Sequence, residues 1–196
     1  MNFLAHAYLS FEHKEILIGN MISDFVKGKS RYQYPAGIQK GIVLHRSIDT
    51  FTDAHEATKS AANIFRPYYR LYSGAIMDIL YDHFLANDES IFSEPELLNF
   101  SKNVYAVLEE NASHLPPFFI HVLLYMKTEN WLYHYKTKNG IEKSLTGLVR
   151  RAAYINESST AIHLFNEHYS FLKECYAAFI EDVKKFAKHQ FDTLTA

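Results

Sequence analysis

Cysteine is nearly absent from this sequence. Cys175 is the only one in 196 residues, so no internal disulfide can form, and the chain reads as suited to a reducing cytoplasm. Cys175 lies among Tyr176, Ala177 and Phe179, the setting of a small buried apolar residue rather than of a nucleophile. Glycine (7) and proline (5) are scarce. A β-sandwich of this size needs many tight turns and therefore more of both; helices joined by short loops fit better. The formal net charge is only −2, which argues against wholesale binding to nucleic acid or to an anionic membrane. Residues 1–10 hold no basic leader and no long apolar run, so no signal peptide is expected. No stretch is long and apolar enough to predict a membrane span. Also missing are a Gly-x-Ser-x-Gly elbow, a phosphate-binding glycine loop, a Cys-rich zinc pattern and the Glu-x-x-His tetrad of a di-iron bundle.

What is present is hydrophobic and aromatic: 48% and 15% of residues, enough for a real core and too much for a disordered chain. Apolar spacing is helical nearly throughout. The pattern predicts helices over 3–11 and 14–27, with Gly28 as a stop, and a long helix from Pro35 to about Asp53. Another is expected over 55–66, broken by Pro67, and then a buried one over 75–86. Ser93-Glu94-Pro95-Glu96 is a capping box opening a helix to about Asn111. Pro116-Pro117 opens the next, to about Tyr135. Lys138-Asn139-Gly140 reads as a turn, followed by a helix over 141–154 and a long amphipathic one ending near Phe191. No repeat or linker interrupts the chain, so residues 1–196 are expected to form one all-α, multi-helix domain.

Acidic residues change character along the chain. Residues 1–83 hold five Asp and three Glu; the remainder holds three Asp and eleven Glu. Glu is the ordinary choice for a solvated helix face, whereas Asp inside a helix competes for backbone groups and lowers propensity. Five Asp in a helical first half therefore need another reason. On the helix from Pro35, Ile38, Ile42, His45 and Asp49 share one stripe, with Lys40, Ser47 and Thr50 opposite. His45 and Asp49 are i,i+4 neighbours that can reach one ion. In the apolar helix after Gly74, Asp78 and Asp82 are again i,i+4. Two carboxylates in a dry place repel each other and lose hydration, and a divalent cation resolves both problems. Asp24 continues the stripe of Leu17 and Met21, and His6 is surrounded by Phe3, Leu4, Ala5, Ala7 and Leu9.

Each residue alone has a plainer reading. His6 can be a hydrogen-bonded core histidine, Asp53 a helix-end cap, and Asp24 a partner of Lys27 or Arg46. Together they place five Asp and several His on core-facing stripes of four helices. Asp24, His45, Asp49, Asp78 and Asp82 are the candidate metal ligands, and such oxygen-rich ligation suits manganese, magnesium or iron better than structural zinc. His6 or His83 is the candidate general acid or base. Lys27, Lys29, Arg31, Lys40 and Arg46 form a basic cluster, in which Arg46 can hold a phosphate bidentately.

These residues resemble a known family. Asn2-Phe3-Leu4-Ala5-His6, Gly19-Asn20, Asp24-Phe25-Val26-Lys27-Gly28, His45-Arg46-x-Ile48-Asp49-x-x-Thr52-Asp53 and Asp82-His83-Phe84-Leu85 are similar to the acyl carrier protein phosphodiesterases. The likeness continues through Glu129-x-Trp131-Leu132, Tyr135, Gly147, Arg150-Arg151 and His168-Tyr169, essentially the whole chain. The resemblance implies an HD-phosphohydrolase-like helical fold and manganese-dependent hydrolysis. The bond cut would join 4'-phosphopantetheine to a serine of acyl carrier protein, giving the apo carrier and free phosphopantetheine. Such carriers are acidic, so Lys27, Lys29, Arg31 and Lys40 are the expected docking residues. The His-then-Asp order of HD enzymes appears here reversed, as Asp82-His83. Two other readings stay open: an HD-like hydrolase of small nucleotides, with the same ligands and no protein partner, and a non-enzymatic helical interaction module with an ordinary polar core.

Overall fold

Two of the seven glycines decide how the first long helices meet. α1 (Phe3–Tyr8) and α2 (Lys14–Ile22) are followed by short 3-10 turns over Ser23–Phe25 and Gly28–Gln33, and then by α3 (Ala36–Ala54). A Cβ on Gly19 would lie 2.1 Å from the Ile38 carbonyl oxygen, and one on Gly41 2.4 Å from that of Ile16. Only glycine at both positions lets the α2 and α3 backbones approach this closely. Around the contact, Ile16, Ile18, Ile38, Ile42, Leu44 and Ile48 are buried, each worth roughly 1.5–3 kcal/mol relative to exposure.

The chain continues through α4 (Glu56–Tyr69), α5 (Ser73–Ala86), α6 (Glu94–Glu110), α7 (Pro117–Thr128), α8 (Trp131–His134), α9 (Lys138–Arg151), α10 (Ser159–Glu167) and α11 (Tyr169–Thr195), with no strand. This computed structural model describes residues 1–196. The 49 buried hydrophobic residues form one cluster reaching from Met1 to Ala187. α5 is buried nearly all round, as its sequence predicts, with Tyr81 stacked on Phe179 of α11 at 4.7 Å between ring centroids. Phe186 of α11 stacks on Phe51 of α3 at 4.5 Å. No helix is long and apolar enough to cross a membrane.

Several helix boundaries differ from the periodicity. Pro67 lies inside α4, whose end comes two residues later, where Arg70 takes φ +49°. A proline this close to the last turn removes one rung of the ladder without breaking the helix before it. The expected helix from Pro117 to Tyr135 is interrupted at Asn130, which adopts left-handed φ and ψ between α7 and α8, a conformation Asn tolerates better than most residues. The Lys138-Asn139-Gly140 turn is instead the first turn of α9, because the Thr137 side chain caps the Gly140 amide. The last amphipathic segment is two helices, parted at His168.

Candidate metal centre

Asn20 organises the site. It sits fully buried in α2 among Ile16, Leu17, Ile18, Met21 and Ile22, and every polar atom it has there is used. Its side-chain amide donates to the His6 carbonyl at 2.9 Å and to Ser10 Oγ at 3.0 Å. That fixes its Oδ1 toward His6 Nδ1, 2.9 Å away, so the ring nitrogen must donate. Its backbone carbonyl lies 2.8 Å from His45 Nδ1, and a carbonyl only accepts, so His45 Nδ1 donates as well. Both imidazoles thus carry their proton on Nδ1 and turn Nε2 inward. The close α2–α3 contact at Gly19 and Gly41 is what brings the Asn20 carbonyl within reach of His45.

The two rings stack with centroids 3.8 Å apart and planes 15° from parallel. Their Nε2 atoms converge on Asp49, one turn beyond His45 on α3. His6 Nε2 is 3.1 Å from Asp49 Oδ1, and His45 Nε2 is 3.0 Å from Oδ2. Asp24 Oδ1 lies 3.2 Å from His45 Nε2. His6 Nε2 also faces the Met1 carbonyl at 3.1 Å. With Nδ1 protonated, each neutral ring points a lone pair at a carboxylate oxygen, and something positive has to lie between acceptor and acceptor. Either a proton or a cation serves.

The electrostatics follow from that geometry. Burial opposes charge on His45, but Asp24 and Asp49 outweigh it and push the ring up to about 9. Burial and the neighbouring His45 push His6 well down, since two stacked imidazolium rings would repel. Burial works against the Asp49 charge, yet His45 and His6 hold its carboxyl well below the usual range. The hydrogen bond from His45 likewise lowers Asp24. Beside them the Met1 ammonium, itself buried, lies 2.8 Å from Asp78 Oδ1 and 3.2 Å from Asp49 Oδ1. Burial opposes its charge, but Asp78 and Asp49 push it up to about 11.

His6, His45 and Asp49 have ligand atoms within 4.8 Å of one another, and Asp24 stands at the exposed edge of the group. Two imidazole nitrogens and carboxylate oxygens are a donor set that fits manganese, iron or zinc. The Nδ1–H groups held by Asn20 are the outer hydrogen bonds that orient ligating histidines. The residues present therefore fit a divalent ion.

The sequence candidates are distributed unevenly around this group. His45 and Asp49 are together, as their shared stripe placed them; Asp24 joins them, but exposed and from the 3-10 turn Ser23–Phe25 rather than from a core-facing stripe of α2, which ends at Ile22. His6 is with them as well, its Nε2 among the donor atoms rather than free to act as an acid or base beside them. Asp78 joins only through the Met1 ammonium. Asp82 is elsewhere engaged: fully buried, its two oxygens accept the Leu4 and Ala5 amides at 2.7 and 3.1 Å, so it caps α1. His83 is also away from the group. Its Nδ1 is bound to the Tyr135 carbonyl at 2.7 Å and its Nε2 faces the Tyr169 hydroxyl at 3.2 Å, inside rings of Phe84, Phe165 and Tyr169. The i,i+1 relation of Asp82 and His83 sends them in different directions on a helix. Arg46 donates to the Val26 carbonyl at 2.9 Å, which anchors its guanidinium to the turn that carries Asp24. Lys27 and Lys29 are exposed on that turn, Arg31 stacks on Tyr32, and Lys40 is half-buried on α3. A groove of about 520 Å³ lined by Arg31, Arg46, Thr50, Phe51 and Phe186 lies on the face of α3 turned away from His45 and Asp49. Asn20 was not among the candidates; a lone Asn in an apolar helix was its signal.

A sequence model of a family described as acyl carrier protein phosphodiesterase matches residues 1–183. The acyl carrier protein phosphodiesterase of Yersinia pestis is 30% identical over 191 residues, 97% of this chain and 99% of that protein. The protein of that name from Enterobacter sp. (strain 638) is 29% identical, again covering 97% and 99%. The one from Photorhabdus laumondii is 31% identical over 87% of this chain and 86% of its own length. No solved structure matches the chain.

Proposed function

The chain belongs to the acyl carrier protein phosphodiesterase family, and from that membership we propose that it hydrolyses the phosphodiester joining 4'-phosphopantetheine to the serine of holo acyl carrier protein, using a divalent ion, manganese first, held by His6, His45, Asp49 and Asp24. The products are the apo carrier and 4'-phosphopantetheine. The observation that carries this reading is the pair of stacked imidazoles, both locked by Asn20 so that Nε2 meets the carboxylate oxygens of Asp49 at 3.0 and 3.1 Å. When bound there, a divalent ion supplies Lewis-acid polarisation of a phosphoryl oxygen and acidifies water.

The chain's own residues do the rest. Asn20 and Ser10 keep the His6 ring and backbone in place, so the donor atoms need no rearrangement on binding. Asp24, with its side chain 73% exposed, marks the open edge through which a phosphodiester reaches the group. Arg46, bound to the Val26 carbonyl, braces the turn that carries Asp24. Asp82 holds the first turn of α1 and thereby the position of His6.

Incubation of holo carrier protein with this enzyme and manganese is expected to remove one phosphopantetheine per carrier, followed by intact-mass spectrometry, and a chelator is expected to stop it. A carrier left intact while a free nucleotide is hydrolysed would overturn the substrate and leave the metal site standing.

A further inference from the structure

α7 has an outer face with no partner in the fold. Phe119, Leu123 and Met126 are buried against the core, whereas Phe118, Leu124 and Tyr125 are 66%, 59% and 65% exposed. Phe118, Tyr125 and Leu124 lie on the outward side of successive turns, with Val122 half-buried beside them. Apolar side chains exposed together on a helix are uncommon unless something covers them.

The face begins at the candidate metal centre. The Phe118 ring is 5.9 Å from that of Phe25, and the Phe119 ring 5.1 Å from it. Phe25 directly follows Asp24 at the open edge of the site. Beyond Asp24 itself, the segment that carries Phe25 is cationic. Between Phe25 and Ile48 the sequence has Lys27, Lys29, Arg31, Lys40 and Arg46 and no carboxylate, and Pro117–Thr128 has none either. On a chain whose net charge is −2, the exposed Lys27 and Lys29 set a cationic rim beside Phe25, where the apolar strip starts.

We propose that the outer face of α7, with Phe25, is where the acidic carrier protein seats, its apolar contacts falling on Phe118, Leu124 and Tyr125 and its carboxylates on the Lys27–Lys40 rim. This rests on the carrier being the substrate. The pairing accounts for both halves of the surface. The rim speeds and orients the encounter, and the buried aromatic anchors hold it. Because Phe25 is adjacent in sequence to Asp24, a carrier seated there delivers its phosphopantetheinyl serine to the exposed carboxylate edge of the site. A second copy meeting this one through the same face would set cation against cation.

The test uses the whole enzyme and the variants Phe118→Ser and Tyr125→Ser, singly and together, with exposed Tyr154→Ser as a control. Binding of holo carrier is measured in chelator, where no turnover occurs. Turnover of the carrier, and of bis(p-nitrophenyl) phosphate as a small diester, is measured with manganese. The double variant is expected to weaken carrier binding and raise KM about tenfold or more, with small-diester turnover within about twofold of wild type and melting temperature unchanged. The Tyr154→Ser control is expected to match wild type. Carrier binding and KM unchanged in the double variant, in an enzyme that does cleave the carrier, would show that the face is wrong while the substrate is right. A wild-type enzyme that neither binds nor cleaves the carrier would overturn the substrate and the surface with it. A dimer in solution that the double variant dissociates would assign the face to a second copy instead.

Discussion

The first five helices and the last six are built on different terms. Of the eleven buried polar residues, ten lie between His6 and His83, and only Ser101 lies beyond. In α1 to α5 the polar groups are inside, desolvated and satisfied by one another: His6, Ser10, Asn20, His45 and the α1 amides held by Asp82. In α6 to α11 they are outside, in pairs such as Lys127–Glu109 and Lys143–Glu129 with side chains about half exposed. Exposed pairs contribute roughly 0–1 kcal/mol, whereas a buried polar group left without a partner costs about 1–3 kcal/mol. The second half thus keeps its polar groups in solvent, whereas the first half gives up easy packing to bury a set of mutually bonded polar groups.

A single methyl group separates the two halves most strongly. Gly19→Ala is expected to lose more than about 4 kcal/mol or fail to fold, because its Cβ meets backbone that cannot give way. Gly147→Ala in α9 adds the same methyl where only the end of Arg151 lies near, 3.9 Å off, and is expected to stabilise by up to about 1 kcal/mol. Urea melts of the two variants read the contrast; equal effects would dissolve it.

Next in size is a pH effect. Burial raises the Asp82 carboxyl to about 7, against the opposing pull of the Leu4 amide. The folded protein therefore holds a proton that the unfolded chain releases near pH 4. Stability from this group is full below about pH 4 and falls as pH rises to about 7, by on the order of 3–4 kcal/mol. Metal-free Asp82→Asn protein is expected to lose that slope in melts between pH 4 and 8. A slope identical to wild type would remove Asp82 as its source.

Asn20→Ala comes third. It leaves the His6 ring without its Nδ1 partner, while Ser10 Oγ still donates to the His6 carbonyl, an expected loss of about 1–3 kcal/mol, with metal affinity lower by roughly 10–100-fold. Calorimetric metal titration and a melt of the same variant check both parts; unchanged metal affinity would make Asn20 a core residue only. The smallest effect belongs to the scaffold: Lys127→Ala is expected to change stability by less than about 1 kcal/mol, and a larger loss in a urea melt would show that its pair with Glu109 matters more than an exposed one should.

Much of this was legible in advance. Helical class followed from periodicity, and the pairing of His45 with Asp49 in the candidate site followed from their shared apolar stripe, because four residues make about one turn and that local geometry survives folding. What periodicity cannot carry is which distant backbone a buried group will meet. Asp78 and Asp82 show the same i,i+4 spacing in an equally apolar helix, yet Asp82 is taken by α1 amides 77 and 78 residues away, and Asp78 by the Met1 ammonium. His83 follows Asp82 in sequence and ends in an aromatic nest on another side. Asn20 entered only as part of the Gly19-Asn20 pair, because it bears no charge and ligates nothing itself; its side chain fixes the His6 ring and its backbone carbonyl the His45 ring.

Manganese binding is proposed to depend on His6, His45, Asp49 and Asp24 acting as one cation site. Its most direct test is calorimetric titration of manganese into chelator-stripped wild-type protein and into Asp49→Ala. One ion per chain is expected in the wild type, and binding weakened at least about 100-fold in the variant. A wild-type protein that takes up no divalent ion, or an Asp49→Ala protein that binds manganese as tightly as wild type, would contradict it.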